Sequence, residues 1–350
     1  MFHFDSNLIY SHEPVKKALQ QLNELPDSLT LFVLNHQNQM VGTLTDGDIR
    51  RGLLANKSVD DTVAAFMFTG FRYLRQNSFT IDTIKQLRLQ RIKLVPLLND
   101  QNRILRVYDL SRQRSVLPVD AVIMAGGRGQ RLSPLTDTAP KPMLPVGGKP
   151  IIAYNVERLC LYGIHHLHIS LNYLGEQIIQ FFGNGSNMGM NIHYVTETQP
   201  LGTLGAVGLV EHFAHNTLLV MNSDLLTNID FEDFYAEFDA QEADMMVASV
   251  PYEVSVPYAV LETDPATNCI LSFKEKPVYT YQSNAGIYLI KQRMLQYLPH
   301  NAFYNATDLI ETLIAKGHKV GFYPILGYWL DIGNPADYRK AQDDIRHIKF

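Results

Sequence analysis

Apolar positions follow two different regimes along this chain of 350 residues. In the first part, Val15, Leu19 and Leu22 recur at helical spacing, and TLFVL at 30–34 reads as a strand. The stretch QNQMVGTLTDGDIRRGLL then predicts a turn, a strand and a helix capped by Asp46 or Asp48. Next, SFTIDTIKQLRLQRIKLVPLLNDQNRILRVYDLS again runs helix, strand, turn, strand, so this region reads as a degenerate tandem repeat.

RQRSVLPVD at 112–120 is polar and then carries a proline, and reads as a linker between domains at 1–115 and 116–350. Beyond it the apolar runs alternate strand and helix. Strands are expected at 120–124, 166–171, 192–196, 217–221 and 244–250, and helices at 150–162, 175–182, 203–213 and 231–241. Alternation on this scale implies βαβ units. The last third adds hairpin-like strands (YAVLETD, CILSFKEKP, AGIYLI), two helices and a strand pair. The predicted class is α/β: a Rossmann-like, mixed, mostly parallel sheet flanked by helices, preceded by a small α+β domain.

Composition narrows this picture only a little. Hydrophobic residues are 46% and charged residues 19%, an ordinary globular balance, and a net charge of −5 argues against nucleic acid or a polybasic membrane surface as partner. Cys160 and Cys269 are too few for a disulfide framework. The N-terminus lacks a basic segment followed by an apolar run, and no apolar run approaches the length of a membrane span. A cytoplasmic protein with reduced cysteines is the expectation.

The chemistry is concentrated in DAVIMAGGRGQRLSPLTDTAPKP. A buried strand, Ala121–Met124, runs into Gly126, Gly127 and Gly129, which let the backbone turn and approach a ligand closely. Successive N–H groups in such a turn form an anion nest, Arg131 adds a fork of donors and Lys141 a point charge. Neither GxxxxGK[ST] nor GxGxxG is present, since Leu132 stands where the last glycine would be. Asp224 ends the strand TLLVMNSDLL, and Asp331 lies in YWLDIGNPADY. Each alone also fits an ordinary turn aspartate. Two carboxylates beside a bound phosphate would suit Mg²⁺.

The stretch GGRGQRLSPLTDTAPKPM resembles the GGxGTRLxPLT…PKPM loop of sugar-1-phosphate nucleotidyltransferases, with Gln130 in place of Thr or Ser. The resemblance covers 119–345, and further motifs follow in the family's order. It implies that Ala125, Gly126, Gly127 and Gly129 wrap the nucleotide, that Arg131 holds the triphosphate, and that Lys141 sits on the reacting phosphates. Asp224 and Asp331 become the Mg²⁺ pair. In SFKEKP, Glu275 and Lys276 match the segment whose lysine binds the sugar phosphate; in SNAGIYLI, Asn284 would reach a sugar hydroxyl. TETQPLGTLGAVGLV offers Glu197, Gln199, Gly202 and Thr203 to base and sugar, with Thr203 capping a helix. In SVPYAVLE, Tyr258 would wall the sugar, and Ala259 replaces a glycine of the family. Asn172 and Tyr173 match a turn beside the nucleotide. His165, His166 and His168 read as strand and turn residues, with no carboxylate partner nearby.

MVGTLTDGDIRRGLL resembles a cystathionine-β-synthase (CBS) motif, a module used in pairs to bind adenine nucleotides, with copies at 8–57 and 60–112. By that resemblance Thr45 and Asp48 would bind the ribose, and the second copy, RILRVYDLS, lacks the threonine. CBS pairs commonly dimerise, so a homo-oligomer is expected. The combination resembles glucosamine-, mannose- and heptose-1-phosphate guanylyltransferases. The implied activity is transfer of a nucleoside monophosphate from GTP to a sugar 1-phosphate. UTP, CTP or dTTP in place of GTP, or a non-catalytic regulator that binds sugar nucleotides, are the alternatives.

Overall fold

The N-terminal apolar pattern folds into the same small sheet twice in the computed structural model, which describes residues 4–25, 29–76 and 78–348. In the first copy β1 (Leu8–Tyr10) lies parallel to β2 (Thr30–Leu34), joined by α1 (Val15–Glu24), and β2 is antiparallel to β3 (Met40–Thr45). Helices α2 (Asp46–Leu54) and α3 (Val63–Phe66) follow. In the second copy β4 (Leu74–Arg75) lies parallel to β5 (Leu94–Leu98), joined by α4 (Ile81–Leu89), and β5 is antiparallel to β6 (Ile104–Asp109). Alternation gives each sheet two apolar faces. Leu31 and Val33 pack toward Val15, Leu22 and Ile49, whereas Phe32 and Leu34 share a cluster with Leu94 and Leu98 of the other copy.

Thr45, and neither Asp46 nor Asp48, caps α2. Its hydroxyl accepts from the Asp48 N–H (3.3 Å) while the Asp48 carboxylate accepts from the Thr45 N–H (2.9 Å), a reciprocal capping box. The stretch 112–120 is also different from a solvated linker: Val116, Leu117, Val119 and Asp120 are all buried.

Backbone contacts divide the chain into two units, one comprising the residues through Pro118 with Leu159–His165 and Asn184–Asn191, the other the remainder. The second unit contains β7 (Asp120–Ala125), a minor hairpin of β8 (Pro145–Val146) and β9 (Lys149–Pro150), and most of α5 (Ile151–Leu161). It continues through β10 (His166–Leu171), α6 (Glu176–Phe182), β11 (Asn191–Thr196), β12 (Thr217–Asn222), β13 (Leu225–Thr227) and α7 (Phe231–Ala240). Then come β14 (Met245–Ser255), β15 (Val260–Asp264), β16 (Cys269–Lys274), β17 (Val278–Lys291), α8 (Ala306–Ala315), β18 (Val320–Pro324), β19 (Trp329–Asp331) and α9 (Pro335–Asp344). The central sheet has the order β11-β10-β7-β12-β17-β14-β18. β10, β7 and β12 are parallel neighbours, β17 runs antiparallel to β12 and β14, and β18 is parallel to β14. This is a mixed, mostly parallel α/β sheet. Its core includes Val122, Leu218, Val220, Met245 and Ile290.

Three sequence expectations change here. The segment expected as a helix at 203–213 forms only a 3₁₀ turn at Gly205–Leu209, because Gly205 and Gly208 disfavour a longer helix. Thr203 therefore caps a different helix, accepting from the Ala306 N–H (2.7 Å) at the start of α8. The last two strands do not pair with each other: β18 joins β14, and β19 joins β13. The histidines of β10 do have a carboxylate nearby. Buried Asp120 accepts from Ala214 N–H (2.5 Å) and lies 2.7 Å from His215 Nδ1, and the His215 ring packs edge-on against His166. His168 stacks on His193, and burial pushes its pKa down to about 4 against a partial upward pull from Asp120. Among the described residues no helix is long and apolar enough to cross a membrane.

Candidate active site

The glycine loop leaves the carboxyl end of β7, between β10 and β12, where parallel sheets of this kind present ligands. Gly129 is left-handed (φ +66°), and a Cβ there would stand 2.8 Å from Lys141 Cβ. At Gly126 a Cβ would stand 2.4 Å from Glu197 Oε1. Both positions thus need glycine, one for its dihedral and one for close approach. The turn is fixed from within: Leu132 N–H and the Thr136 hydroxyl both donate to the Gly129 carbonyl (2.9 Å each), and Leu132 is buried as an anchor.

A cavity of about 500 Å³ opens in front of this loop. Of the residues singled out by sequence, Gly126, Gly127, Gly129, Arg131, Lys141, Glu197, Gly202, Thr203 and Asp224 line it. Ala125 is buried at the strand end, its N–H donating to Ser170 Oγ (3.3 Å). Asn172 supports the wall from behind, donating to the Glu197 carbonyl (3.2 Å), and Gln199 donates to the Asn301 carbonyl (3.1 Å). Tyr258, Glu275, Lys276 and Asn284 do not line the cavity. Asn284 is engaged locally, donating to Tyr288 Oη and accepting from Gly286 N–H (2.9 Å each). Tyr258, Glu275 and Lys276 are exposed, and Lys276 has a left-handed backbone (φ +43°), unusual for a side chain with a Cβ.

Two carboxylates meet although far apart in sequence. β13 and β19 pair antiparallel with Leu225 opposite Asp331, which places Asp224 beside Asp331. Lys141 pairs with Asp224 and lies 3.8 Å from Asp331 Oδ1. Burial, then the Asp224 charge, raise the Asp331 pKa; Lys141 and Arg131 oppose the rise. Asp331 Oδ1 is buried without a hydrogen-bond partner among the described residues. An orphaned carboxylate oxygen beside a second carboxylate fits a hard divalent cation that takes few protein ligands and completes its shell with substrate oxygens. No cluster of three or more His, Cys, Asp or Glu able to hold a metal occurs among the described residues.

Glu197 is buried and its pKa is raised by burial, while hydrogen bonds from the Leu201 N–H (3.1 Å) and Ser170 act the other way. Sequence reasoning missed Ser170 and Asn222, which line the cavity at the ends of β10 and β12. Their position at strand ends facing the same switch point was the available signal.

A glycine turn, flanking cations and paired carboxylates thus meet at the carboxyl end of a mostly parallel sheet, where open α/β sheets take their ligands. The chain belongs to the nucleotidyl transferase family, whose profile matches residues 120–347. It is 33% identical over 232 residues to a mannose-1-phosphate guanylyltransferase of Mycobacterium tuberculosis, covering 65% of this chain and 64% of that protein. It is 30% identical over 232 residues to a D-glycero-alpha-D-manno-heptose 1-phosphate guanylyltransferase of Aneurinibacillus thermoaerophilus, covering 65% of this chain and 99% of that one. The crystal structure of HddC from Yersinia pseudotuberculosis superposes with a TM-score of 0.51 at 27% identity, over 65% of this chain and 99% of HddC. The match spans less than two thirds of the length of the mannose-1-phosphate guanylyltransferase.

Proposed function

We propose that the protein transfers a nucleoside monophosphate from GTP to a sugar 1-phosphate, giving a nucleoside-diphosphate sugar and pyrophosphate. The observation that carries this reading is the meeting of Asp224 and Lys141, which line the cavity of the glycine loop, with Asp331, which lies 3.8 Å from Lys141 though it does not itself line the cavity. An oxygen of the sugar phosphate attacks the α-phosphorus, and the bond to the β-phosphate breaks with its electron pair going to pyrophosphate. The nucleophile is already ionised, so no general base is required. Catalysis is then positioning and electrostatics.

The N–H groups of the loop cradle the phosphates. Arg131 takes up charge on the departing pyrophosphate, and Lys141 holds the attacking phosphate in line; Lys276, which stands outside the cavity, would join it only after its segment moves toward the site. Asp224 and Asp331 would hold Mg²⁺, which when bound offsets the repulsion between the two phosphates. Glu197, on the cavity wall beneath Gly126, is a candidate for the sugar or base, and GTP is read from the relatives' names. The relatives' names supply the sugar class, a hexose or heptose 1-phosphate.

The N-terminal unit is read as a CBS pair that binds an adenine nucleotide. Its support is the repeated topology and a cavity of about 700 Å³ lined by Thr45, Arg72, Arg91 and Lys93. Thr45 faces that cavity, whereas Asp48 is held in the capping box and in an ion pair with Arg51 (2.5 Å).

Pyrophosphate release with Mg²⁺, measured for GTP, UTP, CTP and dTTP against mannose-, glucose-, N-acetylglucosamine- and heptose-1-phosphates with and without AMP, tests all of this. Release with GTP and one sugar supports the reading, and an AMP effect assigns the N-terminal unit. Release with another nucleotide moves the base. Nucleotide binding without release favours a regulator.

A further inference from the structure

Phe303 lines the cavity although no sequence motif singles it out. It stands on the segment 301–305 that leads into α8, and this segment is sewn to the cavity wall at 199–205. The Tyr304 N–H donates to the Leu201 carbonyl (2.9 Å), and the N–H groups of Leu204 and Gly205 both donate to the Tyr304 carbonyl (2.9 and 3.1 Å). The Gln199 side chain donates to the Asn301 carbonyl (3.1 Å). The two backbones approach so closely that a Cβ at Gly202 would stand 2.8 Å from the Tyr304 oxygen, and one at Gly205 2.5 Å from the Ala302 oxygen. Phe303 therefore sits on backbone that is tied on both sides, at Asn301 and at Tyr304. Its ring nevertheless remains 61% exposed, so the fold gains little from burying it.

The glycine loop spans a cavity whose two sides differ in charge. Gly129 stands over Lys141, which pairs with Asp224 and approaches Asp331. Gly126 stands over Glu197, whose carboxylate is taken up by the Leu201 N–H (3.1 Å). Charge is thus gathered on the Gly129 side. Beyond Glu197, the other side is lined by Pro200, Leu201, Gly202, Thr203 and Phe303, none of which carries a charge. A chain of phosphates suits the first side, and a flat uncharged ring suits the second.

We propose that Phe303 is the stacking platform for the nucleobase and a specificity-determining residue that favours purines. The inference deepens the reading of this cavity as a nucleotide site and rests on it. An aromatic ring on fixed backbone offers its face at little conformational cost. Base–aromatic stacking ignores the hydrogen-bonding pattern of the base and depends on stacking strength, so a two-ring base gains more from Phe303 than a one-ring base. The contact lies away from the reacting phosphates and is the same before and during their transfer. It therefore acts on KM for the nucleotide.

Titration calorimetry of wild type, Phe303→Ala and Phe303→Trp with GTP, UTP and inorganic pyrophosphate, each with Mg²⁺, tests this. Phe303→Ala is expected to weaken GTP on the order of 10–100-fold, to weaken UTP less, and to leave pyrophosphate unchanged. Phe303→Trp should keep the affinity for GTP, and GTP but not pyrophosphate should quench the fluorescence it adds to that of Trp329. In turnover, the loss in Phe303→Ala should appear in KM for GTP. Wild-type affinity for GTP in Phe303→Ala overturns the platform, and so does an equal loss for pyrophosphate, which would mean that the whole cavity had changed. Equal losses for GTP and UTP overturn the purine preference. A wild-type protein that binds none of the three overturns the nucleotide-site reading itself. Thermal melts of both variants check that their folds survive.

Discussion

Asp224 accepts a main-chain hydrogen bond from the N–H of Ile332 at 3.1 Å, so the residue before β13 is tied to the residue after Asp331. The two carboxylates are held by backbone, and their separation does not depend on flexible loops. Lys141 offsets their repulsion from the side of the glycine loop.

Asp224→Asn and Asp331→Asn preserve shape and remove charge. Each should lower kcat by about 10²–10³ while the melting temperature stays close to that of wild type. A variant that keeps wild-type turnover with saturating Mg²⁺ would remove that carboxylate from the site.

Lys141 occupies Asp224. In Lys141→Met the two acidic groups face each other without that cation. Added Mg²⁺ should therefore raise the melting temperature of Lys141→Met by more degrees than that of wild type, while turnover falls about 10²–10³. Equal shifts in the two proteins would show that Lys141 and the metal do not share Asp224.

Gly129→Ala places a Cβ at φ +66° and 2.8 Å from Lys141 Cβ. The left-handed backbone alone costs about 1–2 kcal/mol. A lower melting temperature together with weaker nucleotide binding is expected, since displacement of Lys141 disturbs the phosphate end. Calorimetry with and without GTP measures both, and an unchanged melting temperature would contradict the strain.

His168 is held neutral by burial, with a pKa of about 4 against 6.5 for the free side chain. Between those values the unfolded chain binds a proton that the folded chain does not, so stability falls as the pH drops from 6.5 toward 4. His168→Phe should show a shallower loss over that window in pH-dependent denaturant melts. An identical slope would mean that His168 takes up its proton without unfolding.

Much of this was legible in the sequence because it is local. The strands ending at Ala125 and Asn222, the glycine turn and the basic residues around it all declare themselves within a few positions. The pairing of β13 with β19 is not local, and periodicity cannot report it; only the order of motifs suggested that Asp224 and Asp331 meet. The stretch 203–213 kept its apolar pattern but not its helix, because two glycines outweigh that pattern. The ribbon of β14 and β17 was hidden for the opposite reason. The β15 and β16 strands at YAVLETD and CILSFKEKP beyond it did declare themselves, yet alternation assumes a core on one side, and none of their residues is buried.

The proposed reaction breaks the bond between the α- and β-phosphates of GTP and passes the guanylyl group to a sugar phosphate. Reaction of α-³²P-labelled GTP with mannose 1-phosphate or a heptose 1-phosphate, followed by phosphatase treatment, tests it most directly. Wild type is expected to give a labelled, phosphatase-resistant sugar nucleotide, and Asp224→Asn about 10²–10³-fold less. Bound GTP whose α-label never reaches any offered sugar phosphate, or is released only as nucleotide or phosphate, would contradict it.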